Sequence, residues 1–316
     1  MGPYSFFFSV IVPGLLMLAY GLIKTRKPLA SEALWAGFLA GLLVAMGLMA
    51  WELGIARLLP LDHLPPLAKA GARAVLVAAI PEEGVKFCAL LLVIRRYVYP
   101  DDAAATIIAA LGVALGFAVM EDAFYVLRAF SVSAIGGSMV AVGRALTAVP
   151  GHVVFGLTMG ALVAAARGGG HAELTENPVE LVPALLLPVV MHGAYDFLLM
   201  AHNRLDPTTF WTVRLVPLVM AASVLSAILL CNVVLRHAAR FDHPGPEAPR
   251  APAWLGCFFV VLGLLMVWLM LDLPALQLQQ ALAMFCVVPL LFGLDLMWTA
   301  FGRMRRAVPS TVAHLF

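Results

Sequence analysis

The chain has 316 residues, 63% of them hydrophobic and only 12% charged, and its formal net charge is +2. Its apolar runs repeatedly reach the roughly 18–20 residues that carry a helix across a bilayer, which excludes a soluble globular protein and, since barrel strands are short and alternating, a β-barrel. No basic patch with interleaved aromatics occurs, so a nucleic-acid partner is excluded as well.

Taken in chain order, apolar runs broken by charge, Pro or Gly predict about nine spans, near residues 4–23, 33–54, 71–95, 103–129, 139–166, 179–201, 210–236, 254–272 and 280–301. The fold class expected is therefore all-α, a polytopic transmembrane helical bundle. The opening MGPYSFFFSV lacks a basic leader and is followed by KTRKP rather than a cleavage site, so the first run reads as a retained helix. Counting Lys and Arg in alternate loops gives twelve on the side of Arg95, Arg167 and Arg303 against seven on the side of Lys69, Arg128 and Arg204. That asymmetry predicts an external N-terminus and a cytoplasmic C-terminus. The Pro-rich FDHPGPEAPRAP at 241–252 cannot continue a helix and reads as a cytoplasmic linker. The expected organisation is then N-terminal helices over 1–69, a core over 70–201, a seventh span within 202–240, the linker at 241–253, and accessory helices with a basic tail over 254–316.

Against this apolar background the ionisable residues inside spans stand out. Glu82 and Glu83 lie in the third predicted span, Glu121 in the fourth, His152 in the fifth, and His192 with Asp196 in the sixth. A charged group at bilayer depth costs at least about 2.5 kcal/mol on insertion scales, so residues of this kind on several helices must satisfy one another or line a polar cavity. With alternating helix directions they fall within ~10 Å of one another in depth, at ~1.5 Å per residue.

Local spacing adds detail. Glu82 and Lys86 are four apart and share a helix face, while Glu83 points roughly 100° away. Two adjacent carboxylates in a low dielectric cannot both be charged cheaply, which suits a group that takes up a proton and later returns it. His192 and Asp196 are also four apart, within reach of one water or metal ion. Tyr125, four residues after Glu121, can hydrogen-bond that carboxylate or a substrate carbonyl. Pro81, Pro150 and Pro188 each lie shortly before one of the polar residues and free an upstream carbonyl. Arg144, eight residues before His152, could hold a substrate carbonyl or pair with an acidic neighbour, and is expected instead to snorkel toward the external interface. Cys88, Cys231, Cys257 and Cys286 all sit in apolar runs without CxxC spacing and read as small hydrophobes.

EExxK in an apolar helix, then GFAVMEDAFY, RALTAVPGHVVFGLTMG and HGAYDF, each in its own span and in this order, resemble the PrsW family of intramembrane proteases, relatives of the CAAX prenyl endopeptidases and bacteriocin-processing membrane proteins. The resemblance covers roughly residues 70–200. It implies an intramembrane endopeptidase of the bacterial cell membrane, with catalytic residues Glu82, Glu83, Glu121, His152, His192 and Asp196. Its substrate would be a membrane-embedded protein, such as a single-pass anti-sigma-like protein, cut near the external side. Asp122 departs from the pattern, since many relatives have Asn after the glutamate.

Two chemical routes stay open. Glu121, His152, His192 and Asp196 are a ligand set suited to zinc in an open tetrahedral site, with Glu82 or Glu83 as the base. Without metal, the two histidines donate to the oxyanion and the enzyme is a glutamic protease. The rival readings are a proton- or ion-coupled transporter, which predicts internal repeats of broken helices that the sequence lacks, and a non-catalytic scaffold of the same fold.

Overall fold

The computed structural model describes residues 31–99, 102–167, 178–202 and 210–238, with a few isolated positions beyond them. Every regular element among the described residues is helical. The helices are α1 (Ser31–Leu58), α2 (Pro66–Ala72), α3 (Ile80–Tyr97), α4 (Ala103–Val132), α5 (Ala134–Leu146), α6 (Ala148–Arg167), α7 (Val182–His202) and α8 (Phe210–Ala238). Six of the expected spans fall on these helices. The expected spans at 4–23, 254–272 and 280–301, and the linker at 241–253, lie outside the described residues.

Among the described residues, four helical stretches are long and apolar enough to cross a membrane: Glu32–Ala50, Ala103–Val132, Ala134–Arg167 and Pro178–Ala201. Their mean hydropathies run from 1.6 to 2.3. Helix α3 contains Glu82, Glu83 and Lys86, all buried, so its hydropathy is interrupted where the polar site begins.

Two departures from the expected spans bear on that site. The stretch expected as one helix at 71–95 is instead α2, a π-helical segment over Arg73–Ala79, and then α3. Pro81 has no amide hydrogen to return to the preceding turn, and the wider π winding sits just before it, directly upstream of the paired glutamates. The stretch expected at 139–166 is split at Thr147, whose φ/ψ of −124°/−52° leaves the helical region. Thr147 still donates its amide to the Gly143 and Arg144 carbonyls at 3.0 and 3.3 Å, so α5 ends in a hydrogen-bonded turn before α6 starts.

Helix α4 is the axis of the bundle. Along one face, Gly112 and Gly116 lie against the backbone of Leu34 and Phe38 in α1, and Gly37 and Gly41 of α1 return the contact on Ala109 and Val113. A Cβ at any of the four would overlap a backbone carbonyl oxygen of the partner helix. On another face, Gly156 and Gly160 of α6 close on Ala114 and Ala110, where a Cβ would come within 2.5 and 2.6 Å of the alanine methyls. Lipid offers no hydrophobic drive for helices to associate, so close backbone approach through small residues supplies dispersion contact instead. Helix α4 is capped by Asp102, which accepts from the Ala105 amide at 2.8 Å, and α5 by Ser133, which accepts from Gly136 at 2.9 Å.

One apolar cluster joins α4, α6, α7 and α8 through Leu111, Val153, Leu157, Tyr195 and Ile228. A second joins α1, α3, α4 and α6 through Ala33, Leu90, Ile94, Ala109 and Met159. Helix α7 meets the π segment at Gly193, where a Cβ would lie 3.1 Å from Val75 Cγ2. The polar residues of α3, α4, α6 and α7 converge between these packed regions.

Candidate active site

Helix α3 supplies three consecutive members of the site. Lys86 Nζ donates to Glu83 Oε1 at 2.8 Å and to Glu82 Oε2 at 3.3 Å. The expected Glu82–Lys86 pair is present, but Glu83 is the nearer partner. Positions three apart on a helix also face each other, and the four-carbon stem of lysine spans both. The side chain of Lys86 is only 2% exposed, and its ammonium stands 4.0 Å over the Phe117 ring, so an aromatic face closes the site behind it.

Helix α6 brings His152 onto this cluster. Its Nδ1 lies 3.0 Å from Lys86 Nζ and its Nε2 lies 2.6 Å from Glu121 Oε2 on α4. An ammonium can only donate, so Nδ1 accepts and the Nε2 hydrogen is directed at Glu121. Helix α7 brings His192, whose Nδ1 lies 2.9 Å from Glu83 Oε1. Its Nε2 faces Asp196 Oδ2 at 3.4 Å and Glu82 Oε2 at 3.9 Å. The two imidazoles are 5.6 Å apart between centroids, and Phe155 stacks on His192 at 5.1 Å and 18°. All six residues expected from the sequence therefore lie in one network spanning α3, α4, α6 and α7.

Burial grades across it. The side chain of Glu83 is fully buried, and those of Glu82, Lys86, His152 and His192 are 2–6% exposed. Those of Glu121, Asp196 and Arg144 reach 11%, 19% and 20%. The site is closed toward Lys86 and Phe117 and approached from the side bounded by Glu121, Arg144 and Asp196.

Arg144 does not snorkel to the interface as expected. Its Nη2 donates to Glu121 Oε2 at 2.7 Å and its Nε to Asp122 Oδ1 at 2.6 Å. Two buried carboxylates on the neighbouring helix offer charge-assisted bonds that outweigh the hydration available at the boundary. The Tyr125 ring lies 4.4 Å from the guanidinium carbon, beneath Arg144. Local spacing concealed this contact, because Arg144 is 22 and 23 residues from its partners. Lys86 is likewise more than a helix tether: its contact to His152 spans 66 residues.

The donor chemistry fits a divalent metal. Among the described residues, two groups of three have ligand atoms that all lie within 4.8 Å of one another, Glu82 with Glu121 and His152, and Glu82 with Glu83 and His192. Glu82, expected as a candidate base, belongs to both, whereas Asp196 belongs to neither. Glu83 Oε2 is buried without a hydrogen-bond partner among the described residues, an acceptor directed at a place where a cation or water would satisfy it. His192 already has the arrangement common to metal-bound histidines, Nδ1 held by a carboxylate and Nε2 turned toward further carboxylates. His152 fits only in its other tautomer, with the proton on Nδ1 and the lysine turned to the glutamates.

A family model described as PrsW family intramembrane metalloprotease matches residues 30–226. Protease PrsW of Clostridioides difficile (strain 630) is 33% identical over 128 residues, 40% of this chain and 52% of the relative. Protease PrsW of Geobacillus kaustophilus (strain HTA426) is 28% identical over 204 residues, 64% of this chain and 82% of the relative. Protease PrsW of Bacillus subtilis (strain 168) is 29% identical over 120 residues, 38% of this chain and 50% of the relative. The chain thus spans about half the length of two of these relatives and most of the third. No solved structure matches the chain.

Proposed function

The chain belongs to the PrsW family of intramembrane metalloproteases, and from that premise we propose that it is an intramembrane endopeptidase of the bacterial cell membrane that hydrolyses a peptide bond of a single-pass membrane protein. The observation that carries the reading is the convergence of Glu82, Glu83, Glu121, His152 and His192 from four helices into one buried network. Groups this costly to bury fit a reacting centre better than a purely structural tie, which one ion pair would supply. The nine-span arrangement with external N-terminus and cytoplasmic C-terminus, and the division of the chain around a 70–201 core, complete the proposal. The site would then act on the external half of a substrate helix.

The two glutamates have different parts in this mechanism. Glu83 accepts from both Lys86 and His192 through one oxygen, which suits it to orienting the ring. Glu82 has the longer contacts, 3.3 Å to Lys86 and 3.9 Å to His192, and is the freer carboxylate to take a proton from water. As Glu82 takes that proton, the water oxygen bonds to the scissile carbonyl carbon. Glu82 then returns the proton to the amide nitrogen as the carbon–nitrogen bond breaks, leaving a carboxylic acid and an amine, between which the acid proton then passes to give carboxylate and ammonium. His192, held at Nδ1 by Glu83, presents Nε2 to the side on which oxyanion charge develops, and His152, whose ring is held between Lys86 and Glu121, would join it only by turning its Nε2 hydrogen away from Glu121. The Lys86 ammonium supplies a fixed positive charge beside both. Zinc would be held by one of the two groups whose ligand atoms converge, His152 with Glu121 and Glu82 or His192 with Glu83 and Glu82, in either of which Glu82 would be a ligand instead of the base, and it would supply Lewis-acid polarisation of the carbonyl and acidify the attacking water.

The test is cleavage of a purified single-pass membrane substrate by the protein in proteoliposomes, with Glu82→Gln as the control. Product from the wild type and none from the control supports the reading. No product from the wild type, or equal product from the wild type and a Glu82→Gln/Glu83→Gln double variant, sinks it.

A further inference from the structure

We propose that Arg144 is a positioning residue, anchored by Asp122, which holds Glu121 in register with His152. The inference rests on the endopeptidase reading. Glu121 and Asp122 are consecutive on α4, so their side chains leave the helix about 100° apart. A single guanidinium nevertheless reaches both, Nη2 to Glu121 Oε2 at 2.7 Å and Nε to Asp122 Oδ1 at 2.6 Å. Tyr125 supports the same guanidinium from one turn further along α4, 4.4 Å away. The planar fork is thus fixed by three residues of one helix, which a point-charge ammonium cannot reproduce.

Asp122 is what gives the arrangement a purpose beyond charge balance. It is 1% exposed, and its resolved contact is with Arg144. A carboxylate that buried is costly unless paired, so its function is to fix the orientation of its partner. The pair acts on one atom: Glu121 Oε2 takes both the Arg144 bond and the 2.6 Å bond to His152 Nε2. Arg144 comes from α5, across the break at Thr147 from the helix that carries His152. The α5–α6 turn therefore delivers the histidine and the clamp on its carboxylate partner together.

The experiment compares Arg144→Lys, Arg144→Gln, Asp122→Asn and the Arg144→Gln/Asp122→Asn double variant, in full-length protein with a purified single-pass substrate, as kcat and KM per folded molecule. Wild type and the Glu82→Gln/Glu83→Gln double variant come first; if these two give equal product, the endopeptidase reading fails whatever Arg144 does. Given cleavage, Arg144→Gln should lower kcat by about 100-fold with KM within about threefold, since small misplacements at a reacting centre have effects of that order. Arg144→Lys should recover part of the loss. Asp122→Asn should lower kcat by about tenfold alone and by nothing further in the Arg144→Gln background, because it acts through the arginine. Wild-type kcat in Arg144→Gln, a raised KM with kcat unchanged, or independent effects of the two substitutions would each overturn the proposal. If Arg144→Gln does not fold, wild-type kcat in both Arg144→Lys and Asp122→Asn overturns it equally.

Discussion

The Glu83 carboxylate and the His192 ring, 109 residues apart in sequence, meet at 2.9 Å through Nδ1. One consequence is a division of labour between adjacent glutamates that EExxK spacing could not assign. Glu82→Gln removes the proton acceptor and should lower kcat by about 10²–10⁴-fold. Glu83→Gln loosens the hold on His192 and weakens the ion pair to Lys86 but leaves the proton acceptor in place, and should cost about 10–100-fold. Single-turnover cleavage of the two variants measures the difference, and a larger loss in Glu83→Gln would reverse the assignment.

Metal content gives a second outcome. Protein purified without chelator is expected to carry close to one zinc per chain, and His192→Ala to lose it. A chelator should abolish cleavage and added zinc restore it. Full activity in metal-depleted protein would leave the glutamic route, with His152 and His192 as donors to the oxyanion.

Orientation can be read from two exposed loop residues. Leu64 lies before α2 and Tyr99 follows α3, with exposures of 38% and 84%. In a background with the four native cysteines changed to alanine, Leu64→Cys should react with an impermeant thiol reagent from outside and Tyr99→Cys should not. Labelling in the opposite sense would put the site in the cytoplasmic half of the bilayer.

The seam between α1 and α4 predicts a stability effect remote from the chemistry. A methyl at Gly116 would overlap the Phe38 carbonyl, and one at Gly41 the Val113 carbonyl. Gly116→Ala should destabilise the folded protein by about 1–3 kcal/mol through forced helix separation. Gly84, where a Cβ would have no neighbour within 4 Å among the described residues, should tolerate alanine. Thermal unfolding in detergent distinguishes them, and equal midpoints would rule out the close seam.

The residues that form the site were legible in the sequence for one reason. Ionisable groups inside apolar runs are expensive, so Glu82, Glu83, Glu121, His152, His192 and Asp196 were conspicuous without any knowledge of contacts. The helices around them were legible from run length. Arg144 was not, because a long basic side chain near a span end ordinarily reaches water, and only its carboxylate partners on another helix reverse that preference. The break at Thr147 had no proline or glycine at the position itself to announce it. The π winding over Arg73–Ala79 was foreshadowed only by Pro81, which marks where hydrogen bonding loosens but not how the chain rewinds.

Both backbone irregularities flank the site, while the helix it is built upon has no slack. With α1 and α6 pressed to van der Waals contact along its glycine faces, α4 cannot bow to make room for an incoming segment. Whatever bending accompanies the entry of a substrate falls to the joint at Thr147 and the wider turn over Arg73–Ala79, the first carrying Arg144 and His152, the second carrying Glu82 and Glu83. Among the described helices, the proposed site thus rests on one tightly packed support and two locally irregular ones.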